Sequence, residues 1–197
     1  VLQASKAPSL ASFICPGFTG EVLEQNLRSS QAAGVLSENL KDLVQVFLLH
    51  RAIPLGRICD LFGPEGCACL LRHGLLTAAR PGAELWPAAP LDAAAFVRDD
   101  CGEHLVFATV ALWPLEEDLI VATDFESTHF SVSRAGSEAV MYISEDSLAL
   151  LAAAPRVAAH EVLDLCCGCG VQGLVALRYY AERATFVDVN PRALDFV

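Results

Sequence analysis

Positive charge is what this 197-residue chain has least of. Thirteen Lys and Arg stand against 24 Asp and Glu, a net charge of -11. The basic residues are scattered and nowhere form a block. Non-specific attraction to a phosphate backbone is therefore excluded, and a nucleic-acid partner would need a local basic patch that the sequence does not offer. Long apolar runs are missing too. Arg, Asp or Glu interrupts every stretch before the roughly 18 residues that a spanning helix requires. The protein is thus expected to be soluble, free of membrane contact and intracellular, in the cytoplasm. It opens on Val1 and not on Met, so a cleaved targeting segment stays open and the chain reads as a fragment. Internal repeats and low-complexity tracts are absent.

Cysteine is plentiful, but the paired knuckles of a zinc site are not there. The eight are Cys15, Cys59, Cys67, Cys69, Cys101, Cys166, Cys167 and Cys169. Three of them lie within four residues, a poor spacing for a disulfide scaffold, and the 54% hydrophobic composition can build a core without staples. Cys166, Cys167 and Cys169 form one tight patch without a second knuckle. Cys59, Cys67, Cys69 and His73 fall inside an apolar helical pattern in which 67 and 69 point apart. Reduced thiols acting as small apolar filler are expected, with no bound metal.

Along the chain, residues 21–33 allow a helix. Ser37 looks like an N-cap, and Leu40, Leu43, Val44, Phe47 and Leu48 recur at helical spacing through His50. Pro54 opens a second helix to about Phe62. Gly63-Pro64 ends it and starts a third, from Glu65 to His73, closed by Gly74. "LLTAARPGAELWPAA", residues 75–89, reads as strand, turn, strand. Three helices and a hairpin is the order of a winged-helix module. The third helix offers only Arg72 and His73 against Glu65, too little charge to read a DNA groove, so a structural or substrate-orienting role is expected. "HLVFATVALWPL" and "DLIVATDF" read as antiparallel strands joined at Glu116–Asp118, and "VMYISEDSLALLAAA" as a strand to Ile143 followed by a helix.

"EVLDLCCGCGVQGLVALRYYAERATFVDV", residues 161–189, carries the chemistry. An apolar strand runs into a glycine cluster, a helix follows, and a second β-branched run ends it: a βαβ unit with parallel strands, whose loop lies where open α/β folds bind ligands. Gly168, Gly170 and Gly173 spell G-x-G-x-x-G, and Asp188 stands 20 residues beyond the first, placed for ribose hydroxyls. Asp164 discriminates among nucleotides. A carboxylate at the strand exit serves a pyrophosphate badly and a ligand with an ammonium and a sulfonium well.

With "VDVNPRALDF" after it, "VLDLCCGCGVQGL" resembles the first two motifs of the class I S-adenosylmethionine-dependent methyltransferases, signature Asp/Glu-x-Gly-x-Gly-x-Gly. It is most similar to the "small" methyltransferase branch, with its glutamine and nucleic-acid-base N-methyltransferases. The resemblance covers residues 138–197. It implies S-adenosyl-L-methionine as cofactor and a protein amide or a nucleic-acid base as substrate. Asp164, Gly168 and Gly170 would line the methionine end, Cys166 would belong to the same cofactor-binding loop, Asp188 would grip the ribose, Asn190 and Pro191 would start the next helix beside the adenine, and Ser147 would contact the cofactor from the segment before. Cys166 departs from the signature glycine; the loop can still form if that position does not need positive φ. The family's Asn/Asp-Pro-Pro-aromatic catalytic motif is not found, so no catalytic residue is assigned and the chain alone is expected to lack activity.

The expected fold is therefore α/β: a winged-helix-like α+β module over residues 1–157, with its helices and wing at 35–90 and antiparallel strands at 94–125, then the first βαβ unit of a Rossmann-like methyltransferase domain at 158–197. An NAD-dependent oxidoreductase using the same glycines, and a non-catalytic nucleic-acid-binding module, are the alternatives.

Overall fold

The computed structural model describes residues 25–26, 28–30, 34, 36–79, 104–116, 119–125 and 139–197. The chain is mixed α and β and divides into two compact units, Ser29–Val110 and Val1–Arg28 with Ala111–Val197.

In the unit Ser29–Val110, helix α1 (Glu38–Phe47) begins where the sequence predicts. Ser37 is extended, and its hydroxyl accepts the Leu40 N–H at 3.2 Å, which satisfies one of the donors a helix start leaves over. Val44 and Phe47, one helical turn apart, are buried. Asp42 on the same helix receives Arg57 through Nε at 2.9 Å and Nη2 at 2.6 Å, which ties α1 to helix α2 (Leu55–Arg72). The second and third helices expected from the sequence are the two halves of this kinked α2. Gly63 takes φ 72° and ψ 164°, outside the helical region, and Pro64 supplies no N–H to continue the ladder, so one helix ends there and the next begins, as the sequence predicts.

Three short strands complete this unit: β1 (Ile53–Pro54), β2 (Leu76–Ala79) and β3 (Leu105–Ala108). They form an antiparallel sheet in the order β1-β3-β2, with Thr77 opposite Phe107 and Ile53 opposite Val106. The partner of β2 is thus β3. The strand expected at residues 83–89 lies outside the described residues. Leu55, Ile58, Cys67, Leu76, Val106 and Ala108 close the core.

"HLVFATVALWPL" is not one strand. At Thr109 the N–H bonds the Leu75 carbonyl at 3.1 Å and the hydroxyl bonds the Gly74 carbonyl at 2.5 Å, which ends the β3 ladder. Strand β4 (Ala111–Glu116) starts afresh in the unit that holds the βαβ segment, antiparallel to β5 (Leu119–Thr123) with a bulge between Pro114 and Glu116. Trp113 Nε1 donates to the buried Thr123 hydroxyl at 3.0 Å, so the indole's one polar atom is satisfied inside the core.

Residues 139–144 are not a strand either, contrary to the sequence expectation. The Val140 N–H is taken by the Asp124 carboxylate at 2.8 Å and not by a neighbouring strand, while Val140 and Ile143 are buried as anchors. Helix α3 (Glu145–Ala153) follows Ser144, whose hydroxyl donates to Asp146. Strand β6 (Ala159–Leu165), helix α4 (Val171–Tyr179), strand β7 (Ala181–Val187) and the single turn α5 (Pro191–Leu194) complete the chain. Strands β6 and β7 are parallel, with Asp164 opposite Phe186 and Leu165 opposite Val187. The strand, glycine turn, helix, strand order is therefore realised as a parallel pair.

Candidate functional site

The loop between β6 and α4 is built from residues that reach a left-handed backbone. Cys166 has φ 59°, Gly168 φ 52° and Gly170 φ 72°. Two are glycines, which take this conformation without penalty. Cys166 is not, and an L side chain there costs about 1–2 kcal/mol. This overturns the condition under which the sequence tolerated a cysteine: the position does adopt positive φ. It is the position where the methyltransferase signature has glycine. Its side chain is exposed, whereas Cys167 and Cys169 are buried and fasten the loop to the core. Burial pushes both buried thiols up, and the Asp164 charge adds to it, so they stay neutral and act as apolar filler. No group of three or more His, Cys, Asp or Glu among the described residues could hold a metal ion. Nor, among them, is any helix long and apolar enough to cross a membrane.

Gly173, the last glycine of the fingerprint, has a different task. A Cβ on it would meet Phe186 Cε1 at 2.3 Å and Asp164 Oδ2 at 3.1 Å. Asp164 and Phe186 are register partners on the face of the sheet that α4 covers, and only a residue without a side chain lets the helix come this close. That approach has an electrostatic result. The Gly173 N–H, third in the helix after the cap Gly170, donates to Asp164 Oδ2 at 2.8 Å. A carboxylate from the neighbouring strand thus already occupies one of the free donors at the helix N-terminus. Asp164 is 9% exposed. Burial raises its pKa, the Gly173 bond opposes that, and the Asp188 charge adds to the rise.

Asp188 lies just past the end of β7. Its Oδ1 accepts the Asn190 N–H at 2.9 Å and its Oδ2 accepts the Gly168 N–H at 2.8 Å. Both bonds favour the charged form and hold its pKa below the usual carboxylate range. One carboxylate therefore joins the glycine loop to the loop after β7. Asn190 caps α5, its side chain accepting from the Arg192 N–H at 3.0 Å, with Pro191 at the first helical position. Ser147, on α3, reaches this region through its backbone: its carbonyl accepts Gln172 Nε2 at 3.0 Å, which ties the start of α3 to the start of α4.

Asp164, Cys166, Gly168, Gly170, Asp188 and Asn190 are thus brought together at the carboxyl ends of β6 and β7, with Ser147 on the adjoining helix. Three contributors escaped the sequence reading. Phe186 is the ring that both Gly170 and Gly173 accommodate. In the sequence Gln172 reads only as one position of the helix after the glycine cluster. Arg192 bonds Asp124 through Nε at 3.0 Å and Nη2 at 2.5 Å. An Arg four residues after Asp188 carries no sequence signal of its own, because its partner is 68 positions away.

No protein-family model matches the chain, and no curated protein matches it either.

Proposed function

We propose that the loop between β6 and α4, with the loop after β7, seats S-adenosyl-L-methionine, and that the protein is an N-methyltransferase of the Rossmann-like class. The observation that carries this is the bond between Asp164 and the Gly173 N–H. A pyrophosphate would compete for that donor and would also meet a buried negative charge. A ligand bearing an ammonium and a sulfonium meets the same charge favourably.

The residues present fit such a group. Asp188 is held ionised and half-exposed, and each oxygen keeps lone pairs beyond the N–H it already accepts, enough for a pair of ribose hydroxyls. Residues 164–173 contain no Lys or Arg to neutralise a phosphate. When bound, the cofactor supplies an electrophilic methyl group whose departure leaves a neutral thioether. The chain's own part is to orient and desolvate: Asp164 would hold the amino-acid end, the Gly168 and Gly170 backbone would permit close approach, and Asp188 would fix the sugar. No catalytic residue is assigned. The acceptor nitrogen would belong to a protein amide or a nucleic-acid base. In the unit Ser29–Val110, two helical segments after α1 and a sheet ordered β1-β3-β2 support a winged-helix-like module that orients that substrate.

Calorimetric titration with S-adenosylhomocysteine and, separately, NADH tests the proposal. Measurable binding of the former and tighter binding of it than of NADH are expected. The reverse order would favour the oxidoreductase, which would use the same glycines and ribose acid.

A further inference from the structure

Asp124 is a buried carboxylate outside the glycine loop, and it collects three segments. It follows directly on β5, it accepts the Val140 N–H at 2.8 Å ahead of α3, and it receives Arg192 of α5 through two parallel bonds at 3.0 and 2.5 Å. Its side chain is 5% exposed, against 41% for Arg192. The two-toothed geometry is the one that uses the planarity of a guanidinium, and a lysine could not reproduce it.

Arg192 is also where the loop after β7 is fastened. Its own N–H is capped by Asn190, whose N–H is in turn held by Asp188, whose other oxygen holds Gly168. The turn α5 is four residues long, too short to hold its place by helical bonding. Its guanidinium also lies 5.2 Å from the Phe196 ring centre. Anchoring at Asp124 therefore passes, through three consecutive hydrogen bonds, to the amide of the glycine loop.

We propose that Asp124 and Arg192 form a positioning clamp that sets the ribose-side wall of the cofactor site, residues 188–190, an inference that rests on the cofactor reading above. Neither residue needs to touch the ligand. The clamp also bonds the segment that leads into α3, so the two sides of the site are held from one carboxylate.

The test uses the whole chain, with Arg192→Met, Arg192→Lys and Asp124→Asn. Amide hydrogen exchange without ligand reads the clamp itself. In Arg192→Met the Gly168 and Asn190 amides should exchange faster, with Gly173 unchanged. Calorimetry with S-adenosylhomocysteine, well below every variant's melting temperature, should show affinity weakened about tenfold, equivalent to about 1.4 kcal/mol, in Arg192→Met. Arg192→Lys, which keeps the charge but cannot form both parallel bonds, should recover only part of that loss. Should Arg192→Met not fold, Asp124→Asn carries the same readouts at nearly constant volume. Unchanged exchange at 168 and 190, or equal acceleration at 173, overturns the clamp. Faster exchange at 168 and 190 in a chain that never binds S-adenosylhomocysteine overturns the cofactor role, because the fault then lies in the reading of the site and not in the anchoring.

Discussion

Gly173→Ala should destabilise the protein, although alanine is the better helix former. In an ordinary helical position the substitution gains about 0.5–1 kcal/mol. Gly173 lies in α4 with no positive φ, so no backbone strain opposes that gain. The opposition is steric. The new Cβ would stand 2.3 Å from Phe186 Cε1, 2.8 Å from Cζ and 3.1 Å from Asp164 Oδ2. The ring has little room to swing, because Gly170 lies against the same edge, its own hypothetical Cβ 3.2 Å from Cε1. Forcing extra volume into such a contact costs about 1–3 kcal/mol, and an overlap of more than 1 Å with an aromatic edge belongs in the upper half of that range. After the propensity gain, a net loss of about 1–2 kcal/mol remains. Urea denaturation of the chain and the variant, followed by far-UV circular dichroism, measures it. The cause is separable by adding Phe186→Leu, which removes the ring edge. The double variant should be more stable than the sum of the two single effects, with a coupling of about 1 kcal/mol. A Gly173→Ala variant as stable as its parent, or no coupling to position 186, would refute the close helix–strand approach on which the Asp164 geometry depends.

Three further outcomes follow from the same loop. Cys166→Gly should raise stability by up to about 1 kcal/mol, because φ 59° carries no penalty for glycine, while Cys166→Val should lower it; urea midpoints compare the two. Asp164→Asn should abolish measurable S-adenosylhomocysteine binding yet leave the chain as stable as its parent or more so at pH 7. The native pKa of Asp164 is raised, so the stability tied to its protonation is present below the ordinary carboxylate range and is lost as pH rises through the raised value. The advantage of the Asn variant should accordingly shrink on acidification, as comparative melting at pH 7 and pH 4 would show. Ligand affinity in the parent should fall, as pH drops, while Asp188 is still ionised, since the pKa of Asp188 is depressed and that of Asp164 raised; calorimetry across that range with loss of affinity only below the ordinary carboxylate range would contradict it.

Local rules carried the sequence reading furthest where one residue type has one physical job. Ser37 as a cap, Gly63-Pro64 as a break and the βαβ order around "DLCCGCGVQG" all follow from short-range chemistry, and each is found in the structure. Pairing was less legible. "HLVFATVALWPL" has uniform β character, and nothing in it announces that Thr109 gives its bonds to Gly74 and Leu75, which divides the run between two sheets. "VMYI" has the composition of a strand, but its Val140 N–H goes to a carboxylate that the sequence places at the end of another element. The same blindness hid Arg192. Contacts between residues far apart in the chain are decided by packing, and periodicity does not encode them.

The glycine loop shows why a fingerprint alone underdetermines its ligand. Its spacing fixes a backbone path, and that path leaves amide donors without partners inside the helix. In a phosphate-binding loop those donors remain for the ligand. Here Asp188 takes the Gly168 amide and Asp164 takes the Gly173 amide, both at 2.8 Å. Two carboxylates thus stand where a phosphate would need donors, and one of them is buried, where a neighbouring negative charge is screened least. The proposal of a cationic ligand rests on which atoms have already claimed the amides, and the three glycines only make the claim possible.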